Sequence, residues 1–146
     1  MVKWCRWQGC DWDSRICRGA AFGGRSDVLH WLRENGCPWD KLTCSYAAYG
    51  GHLDLLQWAR RNGCDWDKHT CSLAAKGGHL AVLQWARSSG CAWDDSTCSM
   101  AARNGHLAVL KWAIENGCGC SWSTYRESKR RGNPDIIDLV EKCYLL

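Results

Sequence analysis

The sequence predicts an all-α protein that is built from a short structural repeat. Tryptophan and cysteine recur every 27 residues along the chain. Within each unit the apolar positions follow two short helical patterns, and no segment shows the period of two that is typical of a half-buried β-strand. One unit of this length cannot bury its apolar face alone, whereas stacked units can. We therefore expect a single domain in which helix pairs pack in sequence order.

Four series of residues, each spaced by 27 positions, define the repeat. The series are Trp4, Trp31, Trp58, Trp85 and Trp112; Cys10, Cys37, Cys64, Cys91 and Cys118; Cys17, Cys44, Cys71 and Cys98; and Trp12, Trp39, Trp66 and Trp93. The single domain, 1–146, divides into a partial repeat, four regular repeats and a degenerate C-terminal capping repeat. Their boundaries are 1–9, 10–36, 37–63, 64–90, 91–117 and 118–146.

Each unit is predicted to contain two helices, as residues 64–90 illustrate. Thr70 is a suitable N-cap for a first helix over residues 71–76, which ends at a pair of glycines. A second helix is expected from about residue 80 to residue 89, where another glycine stops it. The apolar residues of this second helix cover two adjacent stripes, so we expect neighbours on two of its sides.

The last unit departs from the pattern as a terminal cap should. Tyr125 replaces the second cysteine, and Ser128 and Lys129 replace an alanine pair that the earlier units share. The outer face of a terminal repeat meets water and not a further repeat. We therefore expect residues 118–146 to close the stack.

Composition and charge narrow the classes of function. The 146 residues are 46% hydrophobic and 23% charged, with a formal net charge of +4. This balance predicts a folded protein without an acidic or basic arm. The N-terminus lacks the apolar stretch of a secretory signal, and no run of about 18 apolar residues could span a bilayer. We therefore expect a cytoplasmic or nuclear protein that is neither secreted nor bound to a membrane.

The 12 cysteines raise the question of metal sites and disulfides. Pairs such as Cys37 and Cys44 are seven residues apart, which does not match the usual spacing of zinc ligands. Equivalent cysteines of neighbouring units would lie too far apart for a disulfide, so only within-unit or diagonal pairs could form one. In a reducing compartment we expect free thiols that fill narrow gaps between repeats, and we expect no metal and no cofactor.

The tryptophans could form either a core ladder or a stacking surface for carbohydrate or single-stranded nucleic acid. Their fixed register favours packing between repeats, so we expect the Trp58 and Trp66 series to be buried. His52, His79 and His106 each follow a glycine at the start of a second helix. We expect them to form hydrogen bonds with turn backbone and not to bind metal or act in catalysis.

The familiar motifs of enzymes are missing from the sequence. It contains no dinucleotide-binding or phosphate-binding glycine loop, no nucleophile elbow and no His-Glu-x-x-His zinc motif. Catalysis needs one constellation of unlike residues, whereas this chain repeats like residues. We therefore expect that the protein is not an enzyme.

The segments 51–56, 78–83 and 105–110 each begin with Gly-His-Leu, and Ala-Ala stands two residues before each of them. Through these motifs nearly the whole chain resembles the ankyrin repeat. It is most similar to the short, Trp- and Cys-rich ankyrin-type repeats of giant viruses, protists and algae, whose Gly-Cys-x-Trp-Asp and Leu-x-Trp-Ala motifs appear at 63–67 and 56–59. The resemblance implies an ankyrin-like helix-turn-helix solenoid. Because the unit is about six residues shorter than the roughly 33-residue ankyrin unit, we expect hairpin fingers that are short or absent.

Binding specificity is expected at the positions that vary between units. Two such positions, one near the start and one near the end of each first helix, share one face and change from aromatic to basic along the chain. The candidate partner-binding residues are Phe22, Leu42, Tyr49, His69, Lys76, Ser96 and Arg103. We expect a monomeric, non-enzymatic scaffold that displays a rigid helical face to another protein.

Two alternatives remain open from the sequence. The first is a nucleic-acid-binding module that uses Lys76, Arg103 and the basic residues of 126–131 on phosphates, although a net charge of only +4 counts against it. The second is a truncated member of an expanded repeat family that has kept no partner, which fits a sequence that starts within a repeat.

Overall fold

The computed structural model describes residues 12–145 of the chain. Over this range the fold is all-helical, with ten helices and no β-strand, which confirms the expected class. The partial repeat 1–9, with Trp4, lies outside the described residues. The helices are α1 (Ser14–Phe22), α2 (Ser26–Glu34), α3 (Lys41–Gly50), α4 (Leu53–Arg61), α5 (Lys68–Gly77), α6 (Leu80–Ser88), α7 (Asp95–Asn104), α8 (Leu107–Glu115), α9 (Trp122–Arg131) and α10 (Pro134–Tyr144).

The helices alternate between a first and a second type, with the period of the sequence. Helices α3, α5, α7 and α9 begin 27 residues apart, at residues 41, 68, 95 and 122. The connections from a second helix to the next first helix, such as residues 62–67, are six residues long and contain no strand. Successive first helices pack directly against each other, so the helix pairs follow one another in sequence order.

The first helices begin three residues earlier than expected, and aspartate caps them in place of threonine. The side chain of Asp67 accepts a hydrogen bond of 2.9 Å from the backbone N–H of His69, so α5 starts at residue 68. Thr70 is then the third residue of the helix and is fully buried. Its hydroxyl lies 3.3 Å from that of Ser45 in the preceding repeat. The threonine therefore joins two repeats, which leaves the cap to the aspartate.

Two glycines end α5 because each has a close neighbour in the adjacent repeat. A side chain at Gly77 would place its Cβ 2.5 Å from the carbonyl oxygen of Tyr49. Gly78 adopts a left-handed conformation, with φ of 78°, which ends the helix. The pair therefore allows the first helices to approach closely.

The core consists of small residues from the first helices and branched residues from the second. The alanine pairs of the first helices, such as Ala74 and Ala75, are fully buried. The largest fully buried side chains belong mainly to the second helices. They include Leu29, Leu32, Leu56, Leu83, Leu110 and Ile136. Between residues 12 and 145 no helix is long and apolar enough to cross a membrane.

Candidate protein-interaction surface

The predicted partner-binding residues lie along one side of the first helices. Leu42 and Tyr49 are seven residues apart on α3, which is about two turns, and Tyr46 lies between them on the same side. The corresponding residues of α5 and α7 continue the pattern. We call this set the first-helix surface, and its residues are Phe22, Leu42, Tyr46, Tyr49, His69, Leu73, Lys76, Ser96, Met100 and Arg103.

The N-terminal part of the first-helix surface is aromatic and open to solvent. The rings of Phe22 and Tyr49 have centroids 5.1 Å apart, and Phe22 meets Tyr46 edge to face at 6.2 Å. Phe22 is 47% exposed and Tyr46 is 36% exposed. A cleft of about 390 Å³ lies elsewhere, but here a cleft of about 310 Å³ is lined by Phe22, Tyr46, Arg15 and Arg18. Exposed aromatic rings beside arginines are typical of protein interfaces.

Lys76 connects the aromatic part of the surface to its basic part. Its Nζ lies 4.9 Å from the centre of the Tyr49 ring, within the range of a cation–π interaction. The predicted residues nearer the helix starts face a different environment. The ring Nδ1 of His69 lies 3.1 Å from the carboxylate of Asp67, and the Ser96 hydroxyl donates to Asp94. These two residues therefore take part in the helix caps.

The C-terminal part of the surface combines arginines with a buried acid. Arg103 Nε lies 3.8 Å from Glu127 Oε2, and Arg126 lies 3.6 Å from Glu127 Oε1. A cleft of about 240 Å³ is lined by Arg103, Glu127, Arg130 and Arg131. Glu127 is only 8% exposed, so its charge partly neutralises the surrounding guanidinium groups. The sequence alone did not single out Glu127, although it occupies the register of Tyr46 in the last repeat.

The histidines hold the backbone of the first-helix surface in place. In each case the Nε2–H of a histidine donates to the carbonyl oxygen of a residue 30 positions earlier, which confirms the expected bond to backbone. The pairs are His52 with Phe22 at 2.9 Å, His79 with Tyr49 at 3.0 Å and His106 with Lys76 at 3.0 Å. Each repeat therefore fixes a residue of the surface that belongs to the preceding repeat.

The tryptophans lie on another part of the molecule, and the expectation that both series are buried is wrong. Trp39 and Trp58 meet edge to face with centroids 5.7 Å apart, and both rings are half-buried. The same pairing joins Trp66 with Trp85 at 5.6 Å. The pairs form within a repeat because leucines and alanines already fill the core. Only the indole faces that meet the helices are then covered.

Arginines of the second helices link each tryptophan pair to the preceding repeat. The guanidinium of Arg60 lies 4.3 Å from the centre of the Trp66 ring, and its Nη1 donates to the carbonyl of Cys64 at 2.6 Å. A cleft of about 390 Å³ opens beside Trp39 and Trp58, where the His30 ring lies 4.0 Å from Trp58. Because each guanidinium is stacked and hydrogen-bonded at once, this region is suited to holding repeats together.

The cysteines lie in the gaps between repeats, as expected. All ten cysteines of the described range are free thiols, and eight of them are buried. The contacts are diagonal: Cys17 Sγ and Cys37 Sγ are 3.6 Å apart, and Cys64 Sγ donates to the carbonyl of Asp40 at 3.3 Å. Burial raises the pKa of Cys17 to about 12, so this thiol stays protonated at neutral pH. Within residues 12–145 no three metal-ligating side chains come together in a way that could hold a metal ion.

A comparison with models of known protein families gives no match, and a comparison with curated protein sequences gives none either. The repeat geometry therefore has to indicate the class of protein.

Proposed function

We propose that the chain is an ankyrin-like solenoid and a non-enzymatic scaffold, which binds another protein through the first-helix surface. One observation favours this function above the others. Phe22, Tyr49 and Lys76 come from three successive repeats, yet they form an unbroken line of ring and cation–π contacts. Residues that vary between repeats and still contact one another provide a continuous surface for one partner.

Rigid display is the mechanism. The histidine bonds fix the backbone of Phe22, Tyr49 and Lys76 before a partner arrives. Ion pairs between repeats add to this: Lys41 reaches Asp67 at 2.8 Å, and the following repeat forms the same pair. Because little backbone entropy is left to lose, binding is less costly than on a flexible loop.

The surface also favours a partner of a certain chemistry. Its aromatic end suits an apolar side chain, which would cover the exposed ring of Phe22. Its basic end suits a carboxylate, which would meet Arg103. We therefore propose a protein segment that is apolar at one end and acidic at the other.

Nucleic acid is a weaker candidate because carboxylates already engage the basic residues. Arg103 and Arg126 both approach Glu127, and Lys129 pairs with Glu141. A phosphate backbone placed here would meet the negative charge of Glu127 as well as the arginines. This arrangement favours a protein partner.

Binding of a triple variant tests the proposal. The partner is first identified by proximity labelling in the native cell. Replacing Tyr49, Lys76 and Arg103 with alanine should then leave helicity nearly intact but weaken binding by about 1–2 kcal/mol, or about 5- to 30-fold. The matched control replaces Arg61 and Lys111, exposed residues of the second helices, and should bind as the wild type does.

Salt dependence separates the two classes of partner. A protein partner should lose modest affinity between about 50 and 200 mM salt, whereas nucleic acid held by several phosphates should lose orders of magnitude. If the triple variant binds the identified partner as tightly as the wild type, the first-helix surface is not the binding site.

A further inference from the structure

Four apolar residues form an exposed surface at the C-terminal end of the row of helix pairs. Trp122 is 59% exposed, Tyr144 is 40% exposed and Leu145 is 76% exposed. The ring of Tyr125 stacks on Tyr144 with centroids 5.3 Å apart, and Trp122 lies 5.4 Å from Tyr125. We call Trp122, Tyr125, Tyr144 and Leu145 the end surface. It shares no residue with the first-helix surface.

The repeat register shows which way Tyr125 faces. Tyr125 occupies the position of Cys44, Cys71 and Cys98 in the earlier repeats. In those repeats the thiol at this position points to the following repeat: Cys44 Sγ lies 3.8 Å from the carbonyl of Cys64. Tyr125 therefore faces the side on which a following repeat would pack.

Trp122 faces the same side by an independent observation. It occupies the first position of its helix, where α3 has Lys41 and α5 has Lys68. Both lysines form ion pairs with an aspartate of the following repeat, at 2.8 and 2.7 Å. A tryptophan at this position replaces a charge that reaches across a repeat junction with a large apolar ring.

An aromatic end surface differs from the expected cap. Terminal repeats that only close a stack carry a polar outer face. Here the registers that contact a neighbour in other repeats hold two exposed aromatic residues, and such residues are enriched at the centres of protein interfaces. The end surface therefore has the chemistry of a junction and not of a water-facing cap.

The charges around the end surface indicate its occupant. Helix α9 carries four basic residues and one acidic residue, whereas α10 carries three acidic residues and one basic residue. At the rim, Lys129 lies 5.4 Å from the Tyr125 ring and pairs with Glu141 of α10. A two-fold axis would place α9 of one copy against α10 of the other, which makes the surface complementary to itself.

We propose that the end surface binds the same surface of a second copy of this chain, so that two chains associate tail to tail. The aromatic rings form the centre of the contact, and the rim charges of α9 lie opposite those of the partner's α10. This replaces the expectation of a monomer, which was made before the exposure of Trp122 was known.

Sedimentation of the full chain over a range of concentrations tests the proposal. The wild type should show a monomer–dimer equilibrium, and Trp122→Lys should weaken the dimer at least tenfold. This substitution restores the residue of α3 and α5, so the fold should be kept, and circular dichroism checks that it is. Arg61→Glu changes the charge of an exposed residue on α4 and should leave the dimer unchanged.

A mixing experiment tests the two-fold arrangement. Lys129→Glu and Glu141→Lys each place like charges on both sides of the junction, so each variant alone should dimerise weakly. When the two variants are mixed, the charges across the junction become opposite, although those within each chain stay alike. The mixture should therefore form heterodimers more tightly than either variant forms homodimers.

Three results would overturn the proposal. One is a wild type that stays monomeric up to sub-millimolar concentration, including the case in which the end surface binds only other proteins. The second is a Trp122→Lys variant that dimerises as the wild type does. The third is a mixture of the charge variants without preferred heterodimers.

Discussion

His79 donates a hydrogen bond from Nε2 to the backbone carbonyl of Tyr49 in the preceding repeat, at a distance of 3.0 Å. Carbonyls in the last turn of a helix have no partner within the helix. The next repeat supplies that partner, and the same ring covers Gly51, where an added Cβ would lie 2.6 Å from it. One side chain thus closes the end of a helix and joins two repeats.

Replacing His79 with alanine should lower the free energy of unfolding by about 1–2 kcal/mol, because the Tyr49 carbonyl loses its donor. Chemical denaturation followed by circular dichroism measures the change. His69→Ala is the control, since His69 is exposed and bonds only within its own helix cap. Equal losses for the two variants would show that the bond between repeats adds no stability.

Gly77→Ala and Gly19→Ala should have opposite effects on stability. At Gly77 the new Cβ would collide with the carbonyl of Tyr49, so the first helices must separate, at a cost of about 2 kcal/mol or more. At Gly19, inside α1, the Cβ meets no atom within 4 Å. Alanine there should stabilise the helix by about 0.5–1 kcal/mol. Thermal melting compares them, and a stabilised Gly77→Ala variant would contradict the close approach of the repeats.

Arg60→Lys should destabilise the protein by about 1–2 kcal/mol even though it keeps the positive charge. The planar guanidinium stacks on Trp66 and donates to the carbonyl of Cys64, which an ammonium group cannot do at once. The neighbouring Arg61 is exposed, so Arg61→Lys should change the stability by less than about 0.5 kcal/mol. Urea denaturation distinguishes this result from a purely electrostatic role, in which both substitutions would be harmless.

Cys120 should react with iodoacetamide faster than the buried cysteines at neutral pH. Hydrogen bonds from the thiols of Cys98 and Cys143 lower the pKa of Cys120 to about 6, whereas burial raises the pKa of Cys17 to about 12. Thiolate is the reactive form, so labelling of Cys120 should rise with pH through about 6 and then level off. Labelling of Cys17 should stay slow until strongly alkaline pH.

Peptide mapping by mass spectrometry assigns the labelled sites and separates them from Cys5 and Cys10, which lie outside the described residues. Cys120→Ser should remove the fast reaction. A fast reaction that persists in this variant at one of the eight buried thiols would contradict the assignment.

The helix pairs could be predicted from the sequence because periodicity alone determines them. The second helix expected over residues 80–89 is found as α6, one residue shorter. The start of the first helix could not be predicted as well, since Asp67 and Thr70 are both good N-caps. The choice depends on Thr70 being buried against Ser45, a contact between residues 25 positions apart.

The candidate surface was predictable in part for a similar reason. Phe22, Tyr49 and Lys76 vary between units, and this variation revealed them. Leu73 and Met100 were missed because a half-buried apolar residue looks like core in a sequence. The position of the tryptophans also depended on tertiary structure, because an indole that repeats in register fits a core as well as a half-open groove.

The cap aspartates have a consequence for how such a chain can change length in evolution. Asp67 caps its own helix, pairs with Lys41 of the preceding repeat and accepts the thiol of Cys91 from the following repeat through its carbonyl. An inserted or deleted copy of 27 residues restores all of these partners at both junctions, whereas a gain or loss of any other length misaligns them. Recombination between the nearly identical repeats can therefore add or remove whole units without creating an incompatible junction.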